Sequence, residues 1–380
     1  MRAVRKRIVS KRDEKVDITK YDKNFSAATV TSDGKKRYEL PCAPFTLYGG
    51  VYDKNTGFVR MDQKVAEAVS EGVAFHSKTG AGLRLNFATN SKTVKLIVAE
   101  SFFCRMRHMA LTGSTGFILC SRDGAEKKHT FRAVLCPEYC FGDTFEVSAN
   151  LDGELRDYVL YFPLYSSVKS LSVELDADAY LGAGTGYKPV KPVLYYGSSI
   201  TQGGCASRAD NTYQDLISAE TDTDYINLGF SGNGKAEDNM VDYLSEIDCS
   251  VFVCDYDHNA PNEEYLLKTH GRLYRRYREK RPETPIVFVS RPDSFGAKQA
   301  EGERRAAIIR DTYETALKNG DKNVYFVDGR TFFPEEIRER CLVDGCHPTD
   351  LGFYYMAKSI GGVVAKLLNN AEKSENKKEF

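Results

Sequence analysis

Two rhythms of apolar residues divide the chain. From Phe45 to about Glu174, short runs rich in Val, Leu, Phe and Tyr recur at 94–98, 117–120, 131–135, 145–148, 158–162 and 171–175, with Gly, Asp, Asn and Ser between them. Runs of that length bounded by turn formers predict β-strands, and several of them with few helical patterns predict a β-sandwich or jelly roll. Past Gly182, Gly184, Gly186, Pro189 and Pro192 the rhythm changes. Apolar strands at 193–196, 225–228, 251–254, 286–290 and 324–327 now alternate with amphipathic stretches around 212–220, 263–281, 303–319 and 351–368. Such alternation predicts a parallel sheet covered by helices on both faces. The expected organisation is a jelly-roll-like β-sandwich domain over residues 1–185, beginning with an irregular arm or edge strand to about residue 40, and an α/β domain over 192–372.

Composition narrows the partners. The 380 residues carry 53 basic and 53 acidic side chains, so the chain lacks the positive field of a nucleic-acid binder. A small or neutral molecule is the expected partner, with a homo-oligomer allowed and neither nucleic acid nor membrane implied. The basic opening segment lacks the apolar stretch of a secretory signal and no run reaches membrane-spanning length, which reads as a cytoplasmic protein. Ten cysteines sit mostly in apolar runs, so reduced, buried thiols are expected. No C-x-x-C pair occurs, and Cys136 with Cys140 lacks a second pair at zinc-like spacing, so neither a metal nor a cofactor is expected.

In a parallel sheet, chemistry belongs at the carboxyl ends of the strands. Directly after the strand at 193–196 comes Gly197-Ser198-Ser199-Ile200-Thr201-Gln202-Gly203, which sets a serine on a strand-to-helix turn with its own N–H near the positive end of a helix. The α/β-hydrolase elbow G-x-S-x-G is not met, because Thr201 stands where glycine is required. After the second strand, Gly232 lies in a glycine-rich turn whose N–H could reach an oxyanion. After the third, Asn259 offers a side-chain amide to the same oxyanion or caps the following helix. Ahead of the last helix, Asp344 and His347 are spaced so that the carboxylate can orient the imidazole as a general base. Asp257 and His258 are alternative bases, and Arg291 and Asp293 after the fourth strand are either substrate contacts or a surface ion pair. Each piece taken singly has a structural reading, as a turn or a cap; together they supply a nucleophile, oxyanion donors and an acid–base pair.

The four segments resemble the blocks of the SGNH (GDSL) hydrolase family over roughly residues 192–368. The resemblance implies a flavodoxin-like three-layer α/β/α sandwich with five parallel strands. It also implies a catalytic triad of Ser199, Asp344 and His347 and an oxyanion hole from Ser199, Gly232 and Asn259. Two positions depart from the pattern: Ser198 replaces the aspartate of the family name, and Asp257 replaces the glycine two residues before Asn259. The leading segment Gly50-Val51-Tyr52-Asp53 with Gly57-Phe58 is similar to the motif of family members that carry an N-terminal β-sandwich. Such members are similar to carbohydrate acetylesterases, so the implied activity is removal of short acyl groups, above all O-acetyl, from oligosaccharides. A lysophospholipase, a thioesterase, or a carbohydrate-binding protein with a decayed catalytic domain are the competing expectations.

Overall fold

The computed structural model describes residues 28–138 and 143–375, so the opening part of the predicted arm and Cys140 lie outside the described residues. The first region holds two large antiparallel sheets and a two-stranded one, Val51–Asp53 with Gly57–Val59. Of the large sheets, one runs in the order Thr29–Val30, Lys35–Glu39, Ser170–Asp176, Thr93–Ala99, Thr144–Asn150; the other runs Leu181–Gly182, Arg84–Thr89, Arg156–Tyr161, Phe117–Asp123, Lys128–Leu135. In Thr93–Ala99 buried and half-buried residues alternate, with Val94, Leu96 and Val98 turned inward. These residues meet Leu85, Phe87, Phe117, Leu119, Tyr158 and Leu160 of the second sheet in one apolar core.

The second region is a five-stranded parallel sheet. Its strands are β1 (Val193–Gly197), β2 (Tyr225–Gly229), β3 (Val251–Asp255), β4 (Ile286–Val289) and β5 (Val324–Val327), ordered β2-β1-β3-β4-β5. The flanking helices are α1 (Tyr213–Thr221), α2 (Asp238–Glu246), α3 (Glu263–Lys280), α4 (Gln299–Lys318) and α5 (Asp350–Glu375). The residues of β1 and β3 are buried throughout, because helices cover both faces. Their side chains split between two apolar clusters: Val193, Tyr195, Val251 and Val253 face α5, while Leu194, Tyr196, Phe252 and Cys254 face α2 and α3. This strand order reverses direction at β1, where β2 and β3 flank it, and that reversal opens a crevice at the carboxyl edge.

The two regions share a core. Ile118, Cys120, Val159 and Tyr161 project from the far face of the second antiparallel sheet into the same cluster as Tyr195, Tyr213 and Tyr225. Arg84, fully buried, donates to Tyr187 Oη at 3.0 Å, pairs with Asp224 and lies 3.7 Å from the centre of the Tyr225 ring. Cys104, Cys120, Cys205, Cys249, Cys254 and Cys341 are free, buried thiols, as a chain with reduced cysteines requires. Among the described residues no helix is long and apolar enough to cross a membrane.

Candidate active site

The nucleophile segment is built by the end of β1. Ser198 is the N-cap of a one-turn helix, Ser199–Gln202, and its hydroxyl accepts the Ile200 N–H at 3.1 Å. Gly197 has no room for a side chain, since a Cβ would lie 2.3 Å from Asp255 O. This close approach of β1 to β3 sets Ser199 at the crevice. From the antiparallel region, Tyr165 Oη donates to Ser199 O at 3.1 Å and Gln202 Nε2 reaches Leu164 O at 3.3 Å, so the turn is braced from outside its own domain.

His347 arrives on a tight loop before α5. The Val343 N–H closes the loop on His347 O at 2.8 Å, and Lys298 Nζ holds Gly345 O at 2.8 Å. Ser199 Oγ and His347 Nε2 are 2.8 Å apart, and His347 Nδ1 is 2.8 Å from Asp344 Oδ2. The other oxygen of Asp344 accepts the backbone N–H of His347 at 2.8 Å and of Cys346 at 3.0 Å. Burial works against the Asp344 carboxylate, but the hydrogen bonds from His347 and Cys346 outweigh it and hold its pKa at about 2. It is therefore charged at neutral pH and fixes the proton of the imidazole on Nδ1, leaving the Nε2 lone pair toward Ser199.

The two other expected residues lie on the turns that follow β2 and β3. Gly232 has φ +69, a left-handed backbone that favours glycine, and open space where a side chain would stand. Asn259 sits on the single turn Asp257–Asn259 after β3, and its Nδ2 donates to Phe230 O at 2.7 Å, which ties it to the Gly232 loop. It is not the cap of α3; Asn262 takes that role by accepting the Tyr265 N–H at 2.8 Å. Asp257, in the glycine's place, is buried and accepts Arg305 Nε at 2.7 Å and the Arg291 N–H at 2.9 Å. It anchors the turn, and both of its oxygens are taken by these bonds. His258 stands 3.1 Å from Asp293, and Arg291 is bound to the same carboxylate at 2.7 Å, so these residues form a buried charged cluster rather than a surface pair. His108, in a loop of the antiparallel region, packs against His347 with ring centres 5.6 Å apart. Nothing in its sequence context distinguishes it, because its nearness to His347 depends on how the two regions dock.

A parallel sheet of this order, with serine, imidazole and carboxylate hydrogen-bonded in series at its reversal point, defines a hydrolase of the serine type. Residues 190–365 match the GDSL-like lipase/acylhydrolase family and residues 39–181 match the N-terminal domain of SGNH-hydrolase-type esterases. The chain belongs to the SGNH (GDSL) hydrolases. Among solved structures, it is similar to a GDSL-like lipase from Bacteroides ovatus, at 29% identity, covering 88% of this chain and 98% of that one with a TM-score of 0.78. A salicylyl-acyltransferase from a tetracycline biosynthetic pathway shares the fold at 18% identity, 87% and 96% coverage and a TM-score of 0.69. So does an acetyl xylan esterase from the rumen bacterium Butyrivibrio proteoclasticus, at 12% identity, 90% and 99% coverage and a TM-score of 0.56. No protein of curated function matches the chain significantly.

Proposed function

We propose that the protein is an esterase that removes short acyl groups, chiefly O-acetyl, from carbohydrates or oligosaccharides through a Ser199–His347–Asp344 triad. The observation that carries this reading is the unbroken series of 2.8 Å contacts from Ser199 Oγ through His347 to Asp344. His347 Nε2 takes the Ser199 proton as Oγ bonds to the acyl carbon, and the carbonyl electrons move onto oxygen. The Ser199 and Gly232 N–H groups with the second N–H of Asn259 Nδ2 stabilise that oxyanion. When the oxyanion collapses, His347 returns the proton to the departing sugar hydroxyl. Water, deprotonated by His347, then attacks the acyl-serine; acetate leaves, and Ser199 regains its proton.

The acyl group's owner is inferred from the surroundings and from likeness of fold. The Asp344 side chain is 35% exposed and His347 18%, so the site opens to water beside polar groups, as a sugar ester needs. The fold shared with an acetyl xylan esterase makes acetylated plant oligosaccharides the first class to test. Acetate release from acetylated xylo-, manno- and gluco-oligosaccharides, measured against long-chain acyl esters and thioesters, tests this. The expected result is turnover of at least one acetylated oligosaccharide that disappears in Ser199→Ala. Turnover confined to long-chain esters or thioesters would instead make it a lysophospholipase or thioesterase, and none on any ester a decayed binding protein.

A further inference from the structure

Among the described residues, two groups of metal-ligating side chains lie around His347, and their geometries differ. In the first, His258, Asp293 and Cys346 are close, but Cys346 Sγ approaches Nδ1 of His258 while Asp293 approaches Nε2. Asp293 is already paired with Arg291 and Lys298, so this group reads as a buried charge cluster, and the second group is the stronger metal candidate. In the second, one donor atom each from His108, Cys205 and His347 lie within 4.8 Å of one another. His347 Nδ1 is held by Asp344, so the nitrogen it has available is Nε2.

We propose that His108, Cys205 and His347 form an inhibitory Zn²⁺ site that binds the metal across the mouth of the active site. One thiolate and two imidazoles are a zinc-type donor set, and three protein ligands leave the fourth tetrahedral position to water. Zn–S of about 2.3 Å and Zn–N of about 2.0 Å place tetrahedral donors roughly 3.3–3.6 Å apart. The donors, within 4.8 Å of one another, close to that spacing by movement of His108, the ligand on an exposed loop. Cys205 adopts φ 72, a left-handed backbone rarely seen outside glycine, within a turn fixed by Thr112 Oγ1 donating to Ser207 O at 2.5 Å. That turn holds the thiol within 4.8 Å of a nitrogen of each imidazole. On binding, Cys205 loses its proton to solvent and its sulfur bonds to the metal. His347 exchanges its contact with Ser199 Oγ for a bond to zinc, and the lone pair that would accept the serine proton is consumed. The block on hydrolysis rests on the triad reading above, whereas metal binding does not.

The test uses the full chain. Co²⁺ added to the wild type is expected to give a near-ultraviolet thiolate-to-cobalt charge-transfer band that Ser199→Ala keeps and Cys205→Ser loses. In parallel, Zn²⁺ is expected to inhibit hydrolysis of 4-nitrophenyl acetate at micromolar concentration, reversibly with EDTA. His108→Ala, a change on an exposed loop, is expected to raise the half-inhibitory concentration by about tenfold or more. A cobalt band that persists in Cys205→Ser, or none in the wild type, would overturn the site. So would equal zinc sensitivity of wild type and His108→Ala. A band with the expected dependence but no inhibition would contradict the role of His347 in the block while leaving the metal site standing.

Discussion

Ser198 shows what its position requires. The family name has aspartate there, yet the hydroxyl of Ser198 caps the nucleophile turn by accepting the Ile200 N–H, a task either side chain can perform. Asp255, at the end of β3, is a less visible contributor. It is buried beneath that turn and accepts hydrogen bonds from Thr201 Oγ1 and Tyr213 Oη, each at 3.1 Å. Burial raises its pKa to about 7, against the opposing pull of His258, Tyr213 and Thr201. The folded carboxyl thus keeps a proton that the unfolded chain releases near the ordinary value of 3.8. The resulting stability is fully present below 3.8, falls as pH rises toward 7, and is lost above it. The slope in that window is about 1.4 kcal/mol per pH unit at most. Asp255→Asn removes the titration, so its melting temperature relative to the wild type should rise between pH about 4 and about 7. A difference that stays constant with pH would show that Asp255 is ionised in the folded protein.

At the scale of elements, the catalytic sheet was legible because each strand is a short apolar run and most of the helices between them are amphipathic. All five strands lie where the pattern put them, within a residue at each end. The helix Asp238–Glu246 lies outside the predicted amphipathic stretches, because Asp238, Asn239, Asp242, Ser245 and Glu246 interrupt the apolar stripe of Met240, Val241 and Leu244. Arg84–Thr89 escaped for a different reason: it is buried on both faces, with Leu85 and Phe87 in the sandwich core and Arg84 and Asn86 turned toward Tyr187, Asp224 and the 185 loop. A polar row that is buried by another domain reads in the sequence as a surface row. Asp257 is similar: its replacement of glycine looked like a loss, and its buried partner Arg305 lies 48 residues on in α4. Arg305 also donates to Ala260 O at 2.9 Å, clamping the turn that presents Asn259. Arg305→Met would leave the Asp257 carboxylate buried without its main partner and should cost about 3–5 kcal/mol in urea unfolding. It should also lower kcat by loosening Asn259, and unchanged kcat would separate that clamp from the oxyanion donor.

For the whole molecule, the antiparallel region is built into the support of the proposed site. Its second sheet closes the core under α5, Arg60 donates to Asn227 O and Gly229 O at 3.0 and 2.8 Å, and Tyr165 holds the nucleophile turn. The β2 end that leads to Gly232 is therefore set by a residue some 170 positions earlier in the chain. Sequence periodicity predicts two domains but cannot express that dependence, since it resides in the docking of one upon the other. All of this converges on one hydroxyl. Treating the full chain with diethyl fluorophosphate, which loses fluoride to an activated serine hydroxyl, and mapping the adduct by peptide mass spectrometry tests that convergence directly. The account predicts a single phosphorylated peptide containing Ser199, absent in Ser199→Ala and formed far more slowly in His347→Ala. Labelling at another serine, or equal labelling of the wild type and Ser199→Ala, would contradict it.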